Sequence, residues 1–540
     1  MFDNKLHWAR RTALSALFAV ALAATAGAYA QPAPSLDPAI LPLAEQEAPA
    51  LLETLRMLTS HDTGTLQGAG LLALASDIER FAKGLGAEVE RVTPAANVPG
   101  ANLVITFKGT GKRRIMLMSH MDTVYPAGTA AARPMRVDGN RAIAPGIADD
   151  KSGIAVFLHA MKLLKARGFQ DYERVTMVFN VDEERGSAGS RDLIRSKAGA
   201  HDYILSGEPT QSNNESIVLA TSGVGQLSAR LRVGGLFGAS DTRPIEELAD
   251  LILRTKDVQQ QVANTRMNWT IARAGEPRAL DKLPAAEWRF ATLSWRIKGR
   301  ASHAGNNPEG GVNAVVEGAS LVRRVTDAAT QVPGARLQWR ILSGGLVGNV
   351  IPDRGLAVAE IALPRSTEPV PVLEALIKIG SQPAVQGAEV TADIAEGLTA
   401  TLDGPGEALA SADQRVPDPA THAALGQAVR QLVAQQKFKS SSITVTDGLG
   451  FPAFNATDEG RRMAEMARGI YSAMGATLTI VPRTWGGTDA VWAAQSGKPV
   501  MENLGLPGGN YHSSEEEFIL IDRIPKRLAL AAEMIRALSR

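Results

Sequence analysis

Short apolar runs that stop at an acid or a histidine recur along this chain of 540 residues. "RIMLMSHMDTV" (residues 114–124), "VTMVFNVDEE" (175–184), "YILSGEPT" (203–210) and "KPVMENLG" (498–505) are each of strand length. Between them, "SGIAVFLHAMKLLKA" (152–166) and "GSRDLIRSK" (189–197) place apolar residues at helical spacing. Strands that alternate with helices pack as a largely parallel sheet between helical layers. Functional groups in such a fold gather beyond the carboxyl ends of the strands. His120, Asp122, Glu183, Glu184 and Glu208 all fall there.

The second run raises a question of charge. Asp182, Glu183 and Glu184 are adjacent. Neighbouring carboxylates raise one another's pKa unless something positive sits between them. The chain has no cysteine, which excludes disulfides, thiolate metal sites and cysteine nucleophiles. Any metal must be held by His, Asp and Glu. A net charge of +1 offers no basic surface for nucleic acid or anionic lipid. There is neither a GxxxxGK[ST] loop nor a GxSxG elbow, so nucleotide and serine hydrolysis lack support.

The first thirty residues read as an export signal. Lys5, Arg10 and Arg11 precede an apolar, Ala-rich stretch that ends in Ala28-Tyr29-Ala30, an A-x-A cleavage pattern before Gln31. The expected location is periplasmic or secreted. No later segment is apolar for long enough to span a bilayer. From residue 223 to 447 the pattern changes. "GQLSARLRV" (225–233), "MNWTIARAG" (267–275) and "FATLSWRIKG" (290–299) are rich in β formers, with helical "IEELADLILRT" (245–255) among them. An α+β region therefore interrupts a catalytic domain made of residues 31–222 and 448–540.

Taken singly, the acids and histidines have dull readings: a loop His is surface, and an acid at a strand end is a helix cap. Together, "SHMDTV" (119–124), "GIADDKSG" (146–153), "DEERGS" (182–187), "SGEPT" (206–210) and "GNYHSSEEE" (509–517) form one set on successive loops. Two His, a bridging Asp and terminal Glu residues suit a binuclear Zn²⁺ site. His61, His159, His201 and His422 match no motif and read as structural or surface.

These motifs, with "TSGVG" (221–225), "KGRASHAG" (298–305), "RTWGGTDA" (483–490) and "LGLPGGNYHS" (504–513), resemble the di-zinc metallopeptidase family of glutamate carboxypeptidase, aminoacylase and succinyl-diaminopimelate desuccinylase. The likeness runs from about residue 40 to the C-terminus and is greatest to the glutamate carboxypeptidase branch. It implies a mixed, mostly parallel sheet flanked by helices, with an inserted ferredoxin-like α+β lid. It implies two Zn²⁺ per chain. Asp149 bridges them, His120 and Glu208 complete one site, and Glu184 and His512 complete the other. Asp122 fixes the His120 ring, Asp149–Asp150 is a cis peptide, and Glu183 is the general base. A Glu at 208 goes with carboxypeptidase-like and amidase members and argues against an aminopeptidase.

The lid is about twice the length the resemblance implies, and internal similarity accounts for this. "LRVGGLFGASD" (231–241) resembles "WRIKGRASHAG" (295–305), and "MNWTIARAG" resembles "LQWRILSGG" (337–345). A second copy, about 287–405, is expected to be nested in the first. The oxyanion-stabilising His is then His303, where the first copy has Gly238 or Ala239, and the substrate-binding Asn is Asn349. The Arg for a substrate carboxylate is missing from the second copy, which has Ala362 there. Arg415 is the first candidate for that role, with Arg365 and Arg483 behind it. In dimeric relatives the His and Asn come from the neighbouring subunit; a nested copy would supply both in one chain. The expected activity is exported zinc-dependent hydrolysis of an amide beside a free C-terminal carboxylate, with an N-acyl or folate-type glutamyl substrate. The alternatives are a dipeptidase or aminoacylase of the same family, and a binding protein that has lost catalysis. The substrate is a small molecule or short peptide, and the expected state is a monomer, with a homodimer as the alternative.

Overall fold

A computed structural model describes residues 36–540 apart from 234–242, 276–279, 346, 399–406, 437–440 and 513–515. The stretch expected to be an export signal and the Gly238–Ala239 stretch lie outside the described residues. Among the described residues, no helix is long and apolar enough to cross a membrane.

The catalytic part is built on a six-stranded sheet. Its first five strands in chain order are β1 (Glu88–Val92), β2 (Asn102–Lys108), β3 (Arg114–His120), β4 (Arg174–Asn180) and β5 (Tyr203–Ser206). The spatial order is β1-β2-β4-β3-β5, closed by the short strand Val500–Met501. The pairings β4–β3, β3–β5 and β5 with Val500–Met501 are parallel; β1–β2 and β2–β4 are antiparallel. Both faces of β3 are covered, which is why its sequence is a continuous apolar run and not an alternation. Ile115 and Leu117 face a core shared with helices α1 (Ile40–Leu58), α2 (Gly68–Gly84) and α3 (Lys151–Ala166) and the C-terminal helix Ile524–Ser539. Met116 and Met118 face the opposite core, with Val178, Ile204 and Trp492. Helix α3 is buried on nearly every side, so it carries apolar residues all round and no single stripe. His159 on this helix is buried between Glu47 and Thr54 (2.7 and 2.8 Å), a packing role.

The interrupting region forms one eight-stranded antiparallel sheet. Its elements in chain order are β6 (Gly223–Val233), α4 (Pro244–Gln261), β7 (Arg266–Gly275), β8 (Trp288–Lys298), α5 (Ala314–Thr330), β9 (Arg336–Gly344), β10 (Arg354–Pro364), α6 (Pro369–Gly380), β11 (Glu389–Glu396), β12 (Glu407–Val416), α7 (Pro419–Val433) and β13 (Ser441–Phe451). The spatial order is β11-β8-β10-β9-β7-β12-β6-β13. It divides into two βαββαβ units with the same internal order, fourth-first-third-second. Unit one is β6-α4-β7 with β12-α7-β13. Unit two, β8 to β11, is continuous and is inserted in sequence between β7 and β12, which are neighbours in the sheet. The second strands of the two units meet at Ile271 and Gly344.

One hydrophobic cluster runs through both units. Each unit also makes the same buried tie: Trp269 donates to Thr255 at 3.1 Å, and Trp339 to Thr326 at 2.9 Å. Strand β13 carries the sheet on to Phe451, past the expected lid edge at 447. A short ribbon, Ala220–Thr221 with Phe454–Asn455, joins lid to catalytic part.

Candidate metal centre and active site

The carboxyl ends of β3, β4 and β5 converge with the loop 144–150 and with residues 510–512. His120 ends β3. Glu183 and Glu184 lie on a single 3₁₀ turn after β4, and Glu208 follows β5. Asp149 sits just before α3 with a cis Asp149–Asp150 peptide, and His512 is on the last loop.

Asp149 divides its two carboxylate oxygens between two histidines. Oδ1 is 3.1 Å from His120 Nε2, and Oδ2 is 3.3 Å from His512 Nε2. Each histidine has its own glutamate: Glu208 at 3.8 Å from His120 Nε2, and Glu184 at 3.0 Å from His512 Nε2. Five N/O donors thus fall into two groups that share one carboxylate. That donor set would suit a pair of divalent ions, with Asp149 placed between the two groups. Asp150 also lies within ligand distance of His120 and Glu208. One of its carboxylate oxygens accepts the His120 backbone N–H (3.3 Å).

The three adjacent acids point three ways. Asp182 turns back to accept the Ser190 hydroxyl (2.5 Å) and the Gly189 N–H, closing its own turn. Glu184 meets His512. Glu183 is buried at the cavity wall, and burial, with Asp489 and Glu184 nearby, holds its carboxyl well above the usual range despite the pull of His120. Asp122 organises both sides of the centre. His120 Nδ1 donates to the Asp122 carbonyl (3.1 Å) and lies 3.3 Å from its carboxylate, so Nε2 is left to ligate. The same carboxylate accepts the backbone N–H groups of Glu183 and Glu184 (3.1 and 3.2 Å) and the Thr65 hydroxyl (2.7 Å).

From unit two of the lid, His303 stacks on His512, ring centroids 5.6 Å apart. Its Nδ1 accepts the N–H groups of Gly305 and Asn306, both at 3.0 Å. The ring proton of the neutral imidazole is therefore on Nε2. Burial, with Arg415 and His512 nearby, pushes its pKa well below the usual value and keeps it neutral. Asn349 reaches within 3.5 Å of His512 Nδ1. His303, Asn349, Glu183 and the metal-facing acids line one cavity of about 1420 Å³.

The three candidate arginines part company. Arg415, on β12 of unit one, is buried and lines the cavity. Its Nε and Nη2 donate to Asp413 (2.6 and 2.9 Å) and Nη1 to the Trp485 carbonyl (3.2 Å). Arg483 also lines the cavity, but its guanidinium is committed beside the short ribbon: to the Thr221 and Pro417 carbonyls (2.9 and 3.3 Å) and to Asn455 (2.8 Å). Arg365 lies apart from the other two. It is exposed, donates to the Ala285 carbonyl (3.0 Å), and is not part of the cavity wall.

Three supporting residues escaped the sequence reading. Glu517 accepts the backbone N–H groups of Ala148 (2.8 Å) and Asp149 (3.0 Å) on one oxygen, and Gly146 N–H and Tyr125 O–H (both 2.8 Å) on the other. It shapes the loop that presents Asp149, and its only signal was being the third acid after His512. Lys151 is a buried cation beneath these acids, donating to Thr63 at 2.9 Å; burial lowers its pKa to about 8. Asp413, two residues before Arg415, gave no sign of its pairing.

This fold and site define a metal-dependent hydrolase, and the chain belongs to peptidase family M20/M25/M40, whose model matches residues 116–537. Carboxypeptidase G2 of Pseudomonas sp. (strain RS-16) is 34% identical over 525 residues, 97% of each chain. Acetylornithine deacetylase of Myxococcus xanthus is 32% identical over 199 residues, 36% of this chain and 49% of that protein. The dipeptidase Dug1p of Saccharomyces cerevisiae shares the fold with a TM-score of 0.52 at 12% identity, over 93% of this chain and 98% of that one. Human carnosine dipeptidase 1 does so with a TM-score of 0.51 at 12% identity, over 93% and 99%. The expectation of a mixed α/β metallopeptidase of this family is thus met.

Proposed function

We propose that this protein is an exported di-zinc carboxypeptidase that hydrolyses an amide beside a free C-terminal carboxylate, releasing glutamate or a similar amino acid from N-acyl or folate-type substrates. The observation that carries this reading is the state of Arg415. A guanidinium has five N–H groups. Three of those of Arg415 are used by Asp413 and Trp485, which leaves one on Nη1 and one on Nη2. Two such N–H groups suit a planar carboxylate. The extent of the likeness to carboxypeptidase G2 favours carboxypeptidase action. Export rests on the Ala28-Tyr29-Ala30 signal pattern.

Bound divalent ions supply Lewis-acid polarisation and activation of water. His120, Asp149, Glu184, Glu208 and His512 would hold them. Glu183 takes the proton of the attacking water and returns it to the departing nitrogen as the C–N bond breaks. His303 donates its Nε2–H to the carbonyl oxygen as that oxygen gains charge.

The test is a panel of N-acyl amino acids, dipeptides and C-terminally amidated analogues with zinc-loaded enzyme. Acyl-glutamates or their like should turn over and the amides should not. Turnover confined to substrates with a free α-amino group would make the enzyme a dipeptidase. Arg415→Ala should raise KM for the carboxylate substrates roughly 10- to 100-fold, the worth of a charge-assisted contact. An unchanged KM would remove Arg415 from the role.

The enzyme is proposed to act as a monomer, because His303 and Asn349 reach the cavity from the same chain. Glu183→Gln and His303→Ala, each strongly impaired, should therefore regain no activity when mixed. Recovered activity would mean that His303 acts across a subunit boundary.

A further inference from the structure

Arg266 opens β7 and lies directly opposite Arg415 on β12. Like charges in register on adjacent strands are destabilising, so a pair that persists needs a reason. Arg415 is neutralised by Asp413. Arg266 leaves the pair in another direction. Its guanidinium carbon lies 4.5 Å from the centroid of the Trp485 ring, on a loop of the catalytic part. Nη1 donates to the carbonyl of Gly305 in unit two, and Nη2 is 3.5 Å from Glu309. One side chain of unit one thus touches both the catalytic part and the turn that carries His303.

The carbonyl it grips matters. The Gly305 carbonyl and the Asn306 N–H belong to the same peptide unit. That N–H donates to His303 Nδ1 at 3.0 Å. A single peptide is held between Arg266 on one side and the imidazole on the other, and hydrogen bonds in series polarise one another. The turn has no slack. A Cβ on Gly305 would stand 2.7 Å from the Trp485 carbonyl oxygen, 3.2 Å from His303 Cε1 and 3.3 Å from Arg415 Cζ. The partly exposed pair with Glu309 does not by itself explain an arginine here, since such pairs contribute little.

We propose that Arg266 is a positioning residue for His303: it clamps the Gly305–Asn306 peptide against the Trp485 loop and so aims the imidazole Nε2–H into the cavity. This rests on the reading above that His303 assists the reacting carbonyl.

The test is a double-mutant cycle on kcat with zinc-loaded enzyme and the most rapidly cleaved member of the substrate panel. Arg266→Gln should lower kcat about 10- to 100-fold, as a misaimed group does. KM, metal content and Tm should stay near wild-type values. In the His303→Ala background the same substitution should have no further effect, because a residue that acts through another loses its effect when the other is gone. Arg266→Lys keeps the charge over Trp485 and should recover part of the loss. If Arg266→Gln does not fold, the cycle runs on Arg266→Lys, where the same non-additivity is expected. Independent, multiplicative effects, or an undiminished kcat, would overturn the proposal. A His303→Ala enzyme with wild-type turnover would overturn the reading of His303 itself and this inference with it, a result distinct from an impaired His303→Ala enzyme with additive Arg266 effects.

Discussion

Glu183→Gln keeps its full metal complement and loses roughly 10²–10⁴-fold in kcat, the usual range for removal of a proton carrier. The substitution is nearly isosteric at a buried position. It leaves untouched the five donors grouped around Asp149, since Glu183 takes no part in the His120 and His512 contacts. The backbone N–H of Glu183 still bonds to Asp122, so the 3₁₀ turn should keep its shape and Glu184 its place. Metal analysis and steady-state kinetics on one preparation decide the matter. Near-normal kcat would end the assignment of Glu183 as base; lost metal would mean that it is a ligand.

Asp149→Ala should behave in the opposite way, losing metal first and activity in consequence. With both oxygens of Asp149 gone, His120 keeps Glu208 with Asp150 nearby, and His512 keeps Glu184. On the His512 side that leaves two protein ligands, short of the three that hold a catalytic zinc. Turnover should vanish, and metal content after dialysis should fall below that of Glu183→Gln. Full occupancy in Asp149→Ala would mean that the bridge lies elsewhere, with Asp150 the nearest carboxylate to consider.

The acids and histidines that the structure brings together around Asp149 were legible because they stand where a strand sequence should not go. His120, the acids after β4 and Glu208 each end an apolar run, and a polar break in a buried strand stands out in one dimension. The sheet order was legible only in outline. Parallel pairing follows from alternation with helices, whereas the antiparallel β1 and β2 come from a short connection that carries no such signal. What stayed hidden depends on groups far apart in sequence. Glu517 matters because it meets the backbone of residues 146–149. Arg266 and Trp485 lie far apart in sequence and meet only in the folded chain. Arg365 misled for the converse reason. Its "LPR" context matches the end of a third lid strand, but in unit two the arginine follows that strand, β10, away from the cavity wall and bonds to Ala285. Arg415 and Ala362 sit in the third strands of the two units, and only the strand of unit one lines the cavity.

The nesting of one lid unit in the other also bears on how the chain can fold. In unit one, β6 and β7 are not neighbours; β12 lies between them. When a growing chain has made β6, α4 and β7, it therefore has two strands with no partner from their own unit. Unit two follows as an unbroken stretch from Trp288 to Glu396 and contains every strand that it needs. Domains emerge in order during synthesis and fold as units, so the inner unit is complete before the outer one can be. Its exposed β9 edge is then the first partner available to β7. The pairing of Gly275 with Glu407 brings the two ends of the insertion together, so a folded inner unit also shortens the loop that β12 must close. The inner unit thus serves as a template for the outer one, and damage to the β9 edge should appear first as a failure of unit one to assemble.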